Sequence, residues 1–452
     1  MENKTNTVFN EIRRNVAGID LAWRADHYVC GPRRDDGGHD IASFGTTTPE
    51  LYRLLKWCQD RHVESVAVES TSVYWIPLAD LFESNGIEVV LVDPREVQMV
   101  PCRKSDVKDC QWLQKLHSSG LLRGAFRPPE QVAAIRSILR EKENLIAMRT
   151  QSIQQMQKGL DQMNIRVHHA VSDIDGKTGT AIVKAIVEGE RDPLKLAALR
   201  DKRCKKSVKE IADHLTGTWR EEHLFNLGQA FKTLQFLNER IAEYDMKVKE
   251  MFALLSNATD SSDDQPPSES LSEKKQTTKS REDAIAKAVL SQYMKTDLTL
   301  IPGIGHDSAT IIISELGNNF DRFPTEKHFV SYIGLAPPLS KSAGKNVRHK
   351  KCKNSSRVGQ RIRMCAFTLR KSDCELGAIF RNVAKRSDMK TAIKATARKI
   401  AVLIYRAVKH GMEYIDRGAK AFENRSREKA LNLVNKLIKS HNINVLEING
   451  VV

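Results

Sequence analysis

Four acidic side chains in the first quarter of the chain have the types and spacing of a metal-binding cluster. Asp20 ends the apolar run in NVAGIDLA, and Glu69 ends the run in SVAVES. Asp106 and Asp109 stand three residues apart in SDVKDCQWLQKLHSSG, so both project from one face of a predicted helix. Carboxylate oxygens are the ligands that Mg²⁺ prefers, and paired Mg²⁺ ions activate a nucleophile and steady a leaving oxygen in phosphodiester chemistry. The pattern predicts a two-metal site of RNase H-like type.

Each of these acids also has a plainer interpretation. Asp20 or Glu69 alone is typical of a turn or cap residue, and the helical pair alone is typical of first-turn acids favoured by the helix dipole. The set is more specific because two of its members follow apolar strands, where an unpaired charge is costly to bury. Four other acids are not predicted ligands, since they lie in turn-rich sequence or precede a proline: Asp26, Asp35, Asp36 and Asp93.

A second candidate centre lies in the Gly/Ser segment SKSAGK, which contains Ser342. No acidic residue occurs between Glu326 and Asp373. In such surroundings a serine oxygen can attack phosphorus while neighbouring cations stabilise the transition state. The alternative is an ordinary solvated charged face. The predicted nucleic-acid-binding cations of this stretch, which also contains Lys341, are Lys345, Arg348, Lys350, Lys351, Lys353, Arg357, Arg361 and Arg363.

Two glycines in LIPGIGHDSA, Gly303 and Gly305, are spaced as in a helix-hairpin-helix turn. Glycines at such a turn let backbone amides approach a DNA phosphate without reading the base sequence. The alternative is a tight turn between helices that needs glycine for a positive φ. The motif alone leaves both interpretations open.

The composition favours a nucleic-acid partner. Lys and Arg outnumber Asp and Glu by 72 to 56, which gives a net charge of +16 and an isoelectric point near 9.4. The 8 cysteines are scattered without a CxxC pair, which favours reduced thiols over a zinc ribbon. No signal-peptide core and no apolar stretch long enough to span a bilayer is found, so we expect a cytoplasmic, nucleoid-associated protein without membrane contact.

The elements that must position these residues fall into five predicted segments. Apolar residues recur at spacings of three, four and seven in 130–165 and again in 224–255, on either side of a less regular, basic insertion, Arg166–Arg220. A helical hairpin or dimerisation arm and an ordinary helical bundle both fit this pattern. The predicted segments are a metal-binding catalytic domain (1–125), a helical coiled-coil arm with its insertion (126–256), a disordered linker (257–283), a serine-bearing domain (284–420) and a helical tail (421–452).

Several of these motifs together resemble one family of enzymes. GIDLA, VAVES and KSDVKDCQWLQKLHSSGLL near the start, with LIPGIGHDSA, FVSYIGLAPP and SAGK further on, look like the DEDD transposases related to the pilin-gene inversion recombinase. These enzymes belong to insertion sequences that travel with a structured bridge RNA. The matching blocks cover residues 14–125 and 298–415.

The resemblance implies a fold, a chemistry and a set of partners. It implies an α/β RNase H-like (RuvC-like) N-terminal domain holding Mg²⁺ on the four acids, an α-helical coiled-coil arm, and a mostly α-helical C-terminal transposase domain. The serine of that last domain attacks DNA and forms a transient phosphoserine link. Homodimers or tetramers share the active site between subunits, and the bridge RNA pairs with donor and target DNA. Matching SAGK to the family's motif makes Ser342 the nucleophile, with Ser340 as the alternative.

The predicted function is therefore a DNA transposase or recombinase that breaks and rejoins strands. Two departures from the family pattern are the strongly cationic stretch after the serine and the lengthened middle of the chain. Two alternatives remain from other functional classes. One is a RuvC-like junction-resolving nuclease that uses metal-activated water, and the other is a non-catalytic nucleic-acid-binding protein.

Overall fold

The computed structural model describes residues 10–70, 72–97, 105–171, 173–204, 206–257, 291, 293–336, 341–342, 345–346, 356–412 and 415–441. The chain divides into two compact units, Met1–Arg127 and Pro128–Val452. Among the helices described, none combines the length and the apolar character that crossing a membrane would require.

A mixed five-stranded sheet forms the centre of the first unit. The strands are β1 (Val16–Asp20), β2 (His27–Arg33), β3 (His39–Phe44), β4 (Ser65–Glu69) and β5 (Glu88–Val92). Their order in the sheet is β3-β2-β1-β4-β5. β2 runs antiparallel to both β1 and β3, whereas β4 runs parallel to both β1 and β5. The apolar runs that end in Asp20 and Glu69 are therefore neighbouring parallel strands.

Helices cover both faces of this sheet. One face packs its buried side chains, including Ile19 and Val68, against Leu54 of α1 and Phe82 of α2. The other face packs Ala67 against α4. The sequence predicted this helix with Ser105 as its N-cap, and the Ser105 side chain does accept a hydrogen bond from the backbone of the first turn. The helices are α1 (Thr48–Gln59), α2 (Trp75–Ser84), α3 (Pro94–Val97) and α4 (Asp106–Ser118).

The second unit begins with two long helices that form an antiparallel hairpin, α5 (Glu130–Gln162) and α10 (Glu221–Asn257). Their polarity follows from the contacts along their length. Lys142 in the first half of α5 pairs with Asp245 in the second half of α10, whereas Gly159 near the end of α5 lies beside Leu227 near the start of α10. These helices are the two segments whose apolar spacing predicted helix.

The insertion between the hairpin helices is more regular than its sequence suggested. It folds into short helices whose buried residues, such as Ile182 and Ile211, share a core with Leu160 and Phe231 of the hairpin. Ser207 and Glu210 form a reciprocal capping box that fixes the start of the last of these helices. The helices are α6 (Val167–Ala170), α7 (Lys177–Val187), α8 (Pro193–Ala198) and α9 (Val208–Leu215).

The remainder of the second unit is mostly helical, and its core includes the base of the hairpin. Ile135 of α5 and Phe252 of α10 belong to the same cluster as Ile362 and Ile400. The predicted linker, 257–283, lies outside the described residues beyond its first position. The elements are α11 (His306–Leu316), α12 (Glu326–Tyr332), β6 (Lys341–Ser342), β7 (Lys345–Asn346), α13 (Arg357–Thr368), α14 (Glu375–Arg386), α15 (Met389–His410) and α16 (Gly418–His441).

Candidate active site

Asp20 and Glu69 lie side by side at one edge of the sheet. Each is the last residue of its strand, and the register that pairs Ile19 with Val68 brings these two acids to the same level. Because side chains alternate along a strand, both acids point away from the face that buries Ile19 and Val68. Both side chains are half-buried and face the side of the sheet that carries α4.

Helix α4 runs antiparallel to β1 and β4, so its first turn lies at the edge that holds these two acids. At the opposite end of the strands, Ser65 at the start of β4 shares a hydrogen bond of 2.9 Å with His117 in the last turn of α4. In the middle, Gly18 of β1 lies against the backbone of Cys110 and Gln114. The polarity of the helix therefore places Asp106 and Asp109 beside the strand ends.

The close approach of α4 to the sheet depends on glycine at position 18. A Cβ atom there would lie 2.3 Å from the backbone nitrogen of Gln114 and 2.4 Å from the carbonyl oxygen of Cys110. A Cβ atom does not approach a non-bonded backbone atom this closely in folded proteins, so any other residue at position 18 would push the helix away from the strand. The glycine in GIDLA thus sets the distance between Asp20 and the helical acid pair.

The thiol of Cys110 shows that Asp20 and Asp109 share one electrostatic environment. Burial, together with the negative charges of Asp20 and Asp109, raises the pKa of Cys110 to about 12. Asp109 is half-buried, whereas Asp106 is exposed at the start of the first turn. The structure therefore places the ends of β1 and β4 and the first turn of α4 at one edge of the sheet, and the charges of Asp20 and Asp109 both act on the same buried thiol.

This donor set fits a hard divalent cation in its chemistry, because all four side chains offer carboxylate oxygens. In the part of the chain that the structure describes, no three His, Cys, Asp or Glu side chains converge in the geometry of a bound metal ion. The fit therefore rests on the donor chemistry and on the placement of the backbone.

The acids that were not predicted as ligands have local roles or positions. Asp36 accepts a hydrogen bond from the backbone of Gly38 in the turn between β2 and β3, and Arg34 pairs with it as well. Asp93 stands between β5 and the start of α3, as expected for a residue before proline. Asp26 and Asp35 are exposed in turns.

His117 buries a neutral imidazole at the end of α4 that lies opposite to the acid edge, and this predicts a pH-dependent stability. Burial, together with the nearby Arg13 charge and against the opposing charge of Glu88, lowers the pKa of His117 to about 4. Between pH 6.5 and 4 the unfolded chain therefore binds more protons than the folded one, so stability falls as the pH falls through this window. We expect a loss of about 3 kcal/mol in the free energy of unfolding, measured by urea denaturation.

The variant that tests this prediction is His117→Gln, in which the slope between pH 6.5 and 4 should become shallower than in the parent protein. His62→Asn is the matched control, because His62 is exposed and its positive φ suits asparagine. Equal slopes in the parent and in His117→Gln would contradict the buried neutral state of His117.

The serine-bearing segment is described only in its backbone pairing. Ser342 ends β6 and pairs with Lys345 at the start of β7 in an antiparallel ladder. The other predicted residues of this stretch lie outside the described residues: Ser340, Arg348, Lys350, Lys351 and Lys353.

Two of the predicted nucleic-acid-binding arginines make ion pairs within the second unit. Arg357 and Arg361 on α13 reach Glu143 on α5, with nitrogen–oxygen distances of 2.6 and 3.2 Å. They thereby connect the serine-bearing region to the base of the hairpin. Arg363, two residues after Arg361 on α13, is half-buried and also has an interaction partner. Nucleic-acid binding by these three arginines remains a prediction.

The two glycines of the predicted turn differ in what the fold requires of them. Gly303 has a φ of +90°, and a Cβ there would lie 2.7 Å from the carbonyl oxygen of Cys365. The fold alone therefore explains glycine at this position. Gly305, the N-cap of α11, has open space where a Cβ would stand, so packing does not explain it.

Sequence reasoning missed a basic face on α15. Lys394, Arg398 and Lys399 line a cleft of about 930 Å³ whose wall also includes Leu335 and Ala336, at the entry to the serine-bearing segment. A signal for this face exists in the sequence. From the residue after Asp388 to the one before Glu413 there is no acid, and Lys390, Lys394, Arg398 and Arg406 recur at multiples of four.

Comparison with known protein families gives two matches. Residues 17–165, which contain the four acids, match the DEDD family of IS110 described as "Transposase". Residues 295–375, which contain both glycines and Ser342, match the family described as "Transposase IS116/IS110/IS902 family". The two segments together span about half of the chain. No curated protein matches the sequence.

Proposed function

The chain belongs to the IS110-type family of DEDD transposases, and we therefore propose that it cleaves and rejoins DNA strands to move an insertion sequence. The observation that carries this proposal is the acid edge of the sheet. Two neighbouring parallel strands end in Asp20 and Glu69 at the same level, and α4 begins there with Asp106 and Asp109. The sequence resemblance assigns these four acids to the family's DEDD motif, and each lies on the type of element that the sequence predicted for it. The mixed sheet and this arrangement support an RNase H-like fold of the RuvC type.

The chemistry proposed for this edge is assistance to phosphodiester cleavage by Mg²⁺. When bound by the four carboxylates, two Mg²⁺ ions would polarise a phosphate oxygen and stabilise the leaving oxygen. The protein's own contribution is to fix the carboxylates before the substrate arrives. Asp20 and Glu69 are held by the paired strands, and Asp109 is held by the helix that packs on Gly18. Such pre-organisation lowers the reorganisation that the reaction would otherwise require.

The proposed nucleophile is the hydroxyl of Ser342. Its Oγ would attack a phosphorus of the DNA backbone and lose its proton, forming a serine–phosphate ester while one strand end leaves and takes up a proton as a free hydroxyl. A hydroxyl of the partner strand would then attack the same phosphorus and return the serine oxygen. Two such exchanges conserve the number of phosphodiester bonds, so rejoining needs no external energy source.

The positively charged surfaces support DNA and RNA as partners. The α15 face carries Lys394, Arg398 and Lys399 beside the entry to the serine-bearing segment. Cations in such a cleft neutralise backbone phosphates and position a strand without reading its sequence. This arrangement suits a system in which a bridge RNA selects the sites by base pairing. We therefore include a bridge RNA in the proposal.

Exposed apolar side chains on the hairpin support self-association. Ile146 and Met148 on α5, with Phe236 and Met246 on α10, are all exposed although they are large and apolar. Burying such side chains against a second copy would remove their apolar surface from water. We propose a homodimer or a tetramer formed through this part of the hairpin.

The proposed function is tested by sequencing DNA from cells that carry the gene with its native flanking DNA. We expect new junctions between formerly separate DNA segments, with no net loss of nucleotides at the joints. Broken ends without new junctions would instead indicate a nuclease that uses metal-activated water. Unchanged DNA would indicate a non-catalytic nucleic-acid-binding protein, and either result would overturn the proposal.

A further inference from the structure

Two aromatic rings lie exposed in the first unit without contributing to its core. The side chains of Trp23 and Tyr74 are 58% and 38% exposed, and their ring centroids lie 6.3 Å apart at an interplanar angle of 32°. Large aromatic side chains dominate the energetics of cores and interfaces, so a pair left in water is available to a binding partner. We call this pair the aromatic platform.

The platform lies at the edge of the sheet that holds the acids. Trp23 comes three residues after Asp20, in the segment that leaves β1. Tyr74 comes five residues after Glu69, in the segment that leaves β4. Because β1 and β4 are neighbouring parallel strands, both segments start from the same edge. The contact between the two rings therefore spans the segments that follow the two acids.

The segment that carries Tyr74 is held by its own contacts. The indole nitrogen of Trp75 donates a hydrogen bond of 3.1 Å to the carbonyl oxygen of Ser72, which has a φ of +54°. The guanidinium carbon of Arg127 lies 5.0 Å from the centroid of the Trp75 ring. The Trp75 side chain therefore stabilises the turn, whereas the Tyr74 ring remains exposed as a contact surface.

A cation accompanies the platform. The guanidinium carbon of Arg24 lies 4.0 Å from the centroid of the Trp23 ring, within the range of a cation–π interaction. An apolar protein segment would gain nothing from this charge, whereas a nucleotide offers both a base to stack and a phosphate to pair with. Stacking of bases on aromatic rings beside cations is how proteins hold single-stranded nucleic acid without sequence preference.

We propose that Trp23 and Tyr74 stack an unpaired base of the DNA substrate beside the acid edge, with Arg24 near the adjoining phosphate. This inference rests on the proposed function, because it assumes that the acids act on DNA. Strand exchange requires base pairs to open near the reacting phosphate, and stacking would stabilise an opened base there. The platform would hold the strand for cleavage, and Trp23 and Tyr74 would act as positioning residues.

The test uses the full-length protein and a 12-nucleotide single-stranded DNA that carries one 2-aminopurine, whose fluorescence is quenched when it stacks on an aromatic ring. We expect quenching with the parent protein, and a loss of affinity of about tenfold or more in Trp23→Ala. Trp23→Phe should restore part of both effects, because phenylalanine keeps a stacking surface. The matched control is Tyr52→Ala, since Tyr52 is 57% exposed on α1, on the opposite face of the sheet from α4.

Three results would overturn the inference. The first is Trp23→Ala binding and quenching as the parent does, and the second is Tyr52→Ala losing as much as Trp23→Ala. The third is that the protein quenches the 2-aminopurine of the RNA version of the oligonucleotide but not that of the DNA version, because the proposal commits to DNA. All three results come from binding measurements without Mg²⁺, so they do not depend on whether the protein exchanges DNA strands. If the protein quenches the probe but never forms new DNA junctions, the proposed function fails while the platform stands.

Discussion

Replacing Asp20 by asparagine is expected to lower the rate of strand exchange by roughly 10²- to 10³-fold, because several kcal/mol of transition-state stabilisation by bound metal would be lost. Asparagine keeps the size of the side chain at the end of β1 and removes its charge. Asp109→Asn should have an effect of similar size, since Asp109 is the half-buried carboxylate that α4 contributes to the same proposed metal site. The rate is measured as the appearance of joined DNA, and the affinity for Mn²⁺ is measured by calorimetry.

The folding of both variants should be unimpaired. Removing one charge from a cluster of like charges relieves repulsion in the metal-free protein, so we expect the Tm to stay the same or to rise slightly. Asp35→Asn is the matched control, because Asp35 is an exposed acid of the same unit in the turn between β2 and β3. The metal-site assignment is falsified if Asp20→Asn recombines DNA and binds Mn²⁺ as the parent does.

Replacing Ser342 by alanine is expected to abolish the covalent protein–DNA adduct altogether. The hydroxyl would supply the oxygen of the serine–phosphate ester, and alanine has no atom that can replace it. The pairing of Ser342 with Lys345 is made by the backbone, so the short ladder of β6 and β7 does not need the hydroxyl. The adduct is measured as DNA that migrates with the protein after denaturation, and non-covalent DNA binding should remain unchanged.

Ser340→Ala is the natural comparison, because Ser340 lies two residues away in the same Gly/Ser segment. It should retain the adduct. A loss of adduct in Ser340→Ala with retention in Ser342→Ala would move the nucleophile to Ser340. If both variants keep cutting DNA and neither the parent nor a variant forms an adduct, then water is the nucleophile and the serine mechanism is wrong.

The resemblance of the sequence to the DEDD transposases is confirmed by the two family matches. This resemblance could be recognised from the sequence because it lies in short motifs. The apolar strands that end in Asp20 and Glu69, and the capped helix that begins at Asp106, are local signals. They depend on hydrophobic periodicity and on capping, which neighbouring residues determine. The structure has strands and a helix at these positions, and their bounds differ little from those that the patterns indicated.

Other features could not be predicted because they depend on which elements meet. Nothing in the segment around Arg357 and Arg361 indicates Glu143 as their partner, more than 200 residues earlier in the chain. The sequence pattern predicted that these arginines bind DNA, whereas in the structure they form ion pairs with Glu143 of the hairpin. The α15 face was overlooked for a different reason. Its cations lie at multiples of four residues in the sequence, and they come together on one face only when the segment forms a helix.

The sequence by itself determined the types of the elements, the acids that end them and the family. Apolar spacing specifies which side of a strand or helix is buried, and this information is local. Only the tertiary structure decided that β1 lies beside β4, that α4 runs antiparallel to both, and that Trp23 meets Tyr74. Each of these depends on packing between distant segments, where many pairings satisfy the same hydrophobic pattern. Only one of these pairings also allows close contacts such as that of Gly18 with the backbone of α4.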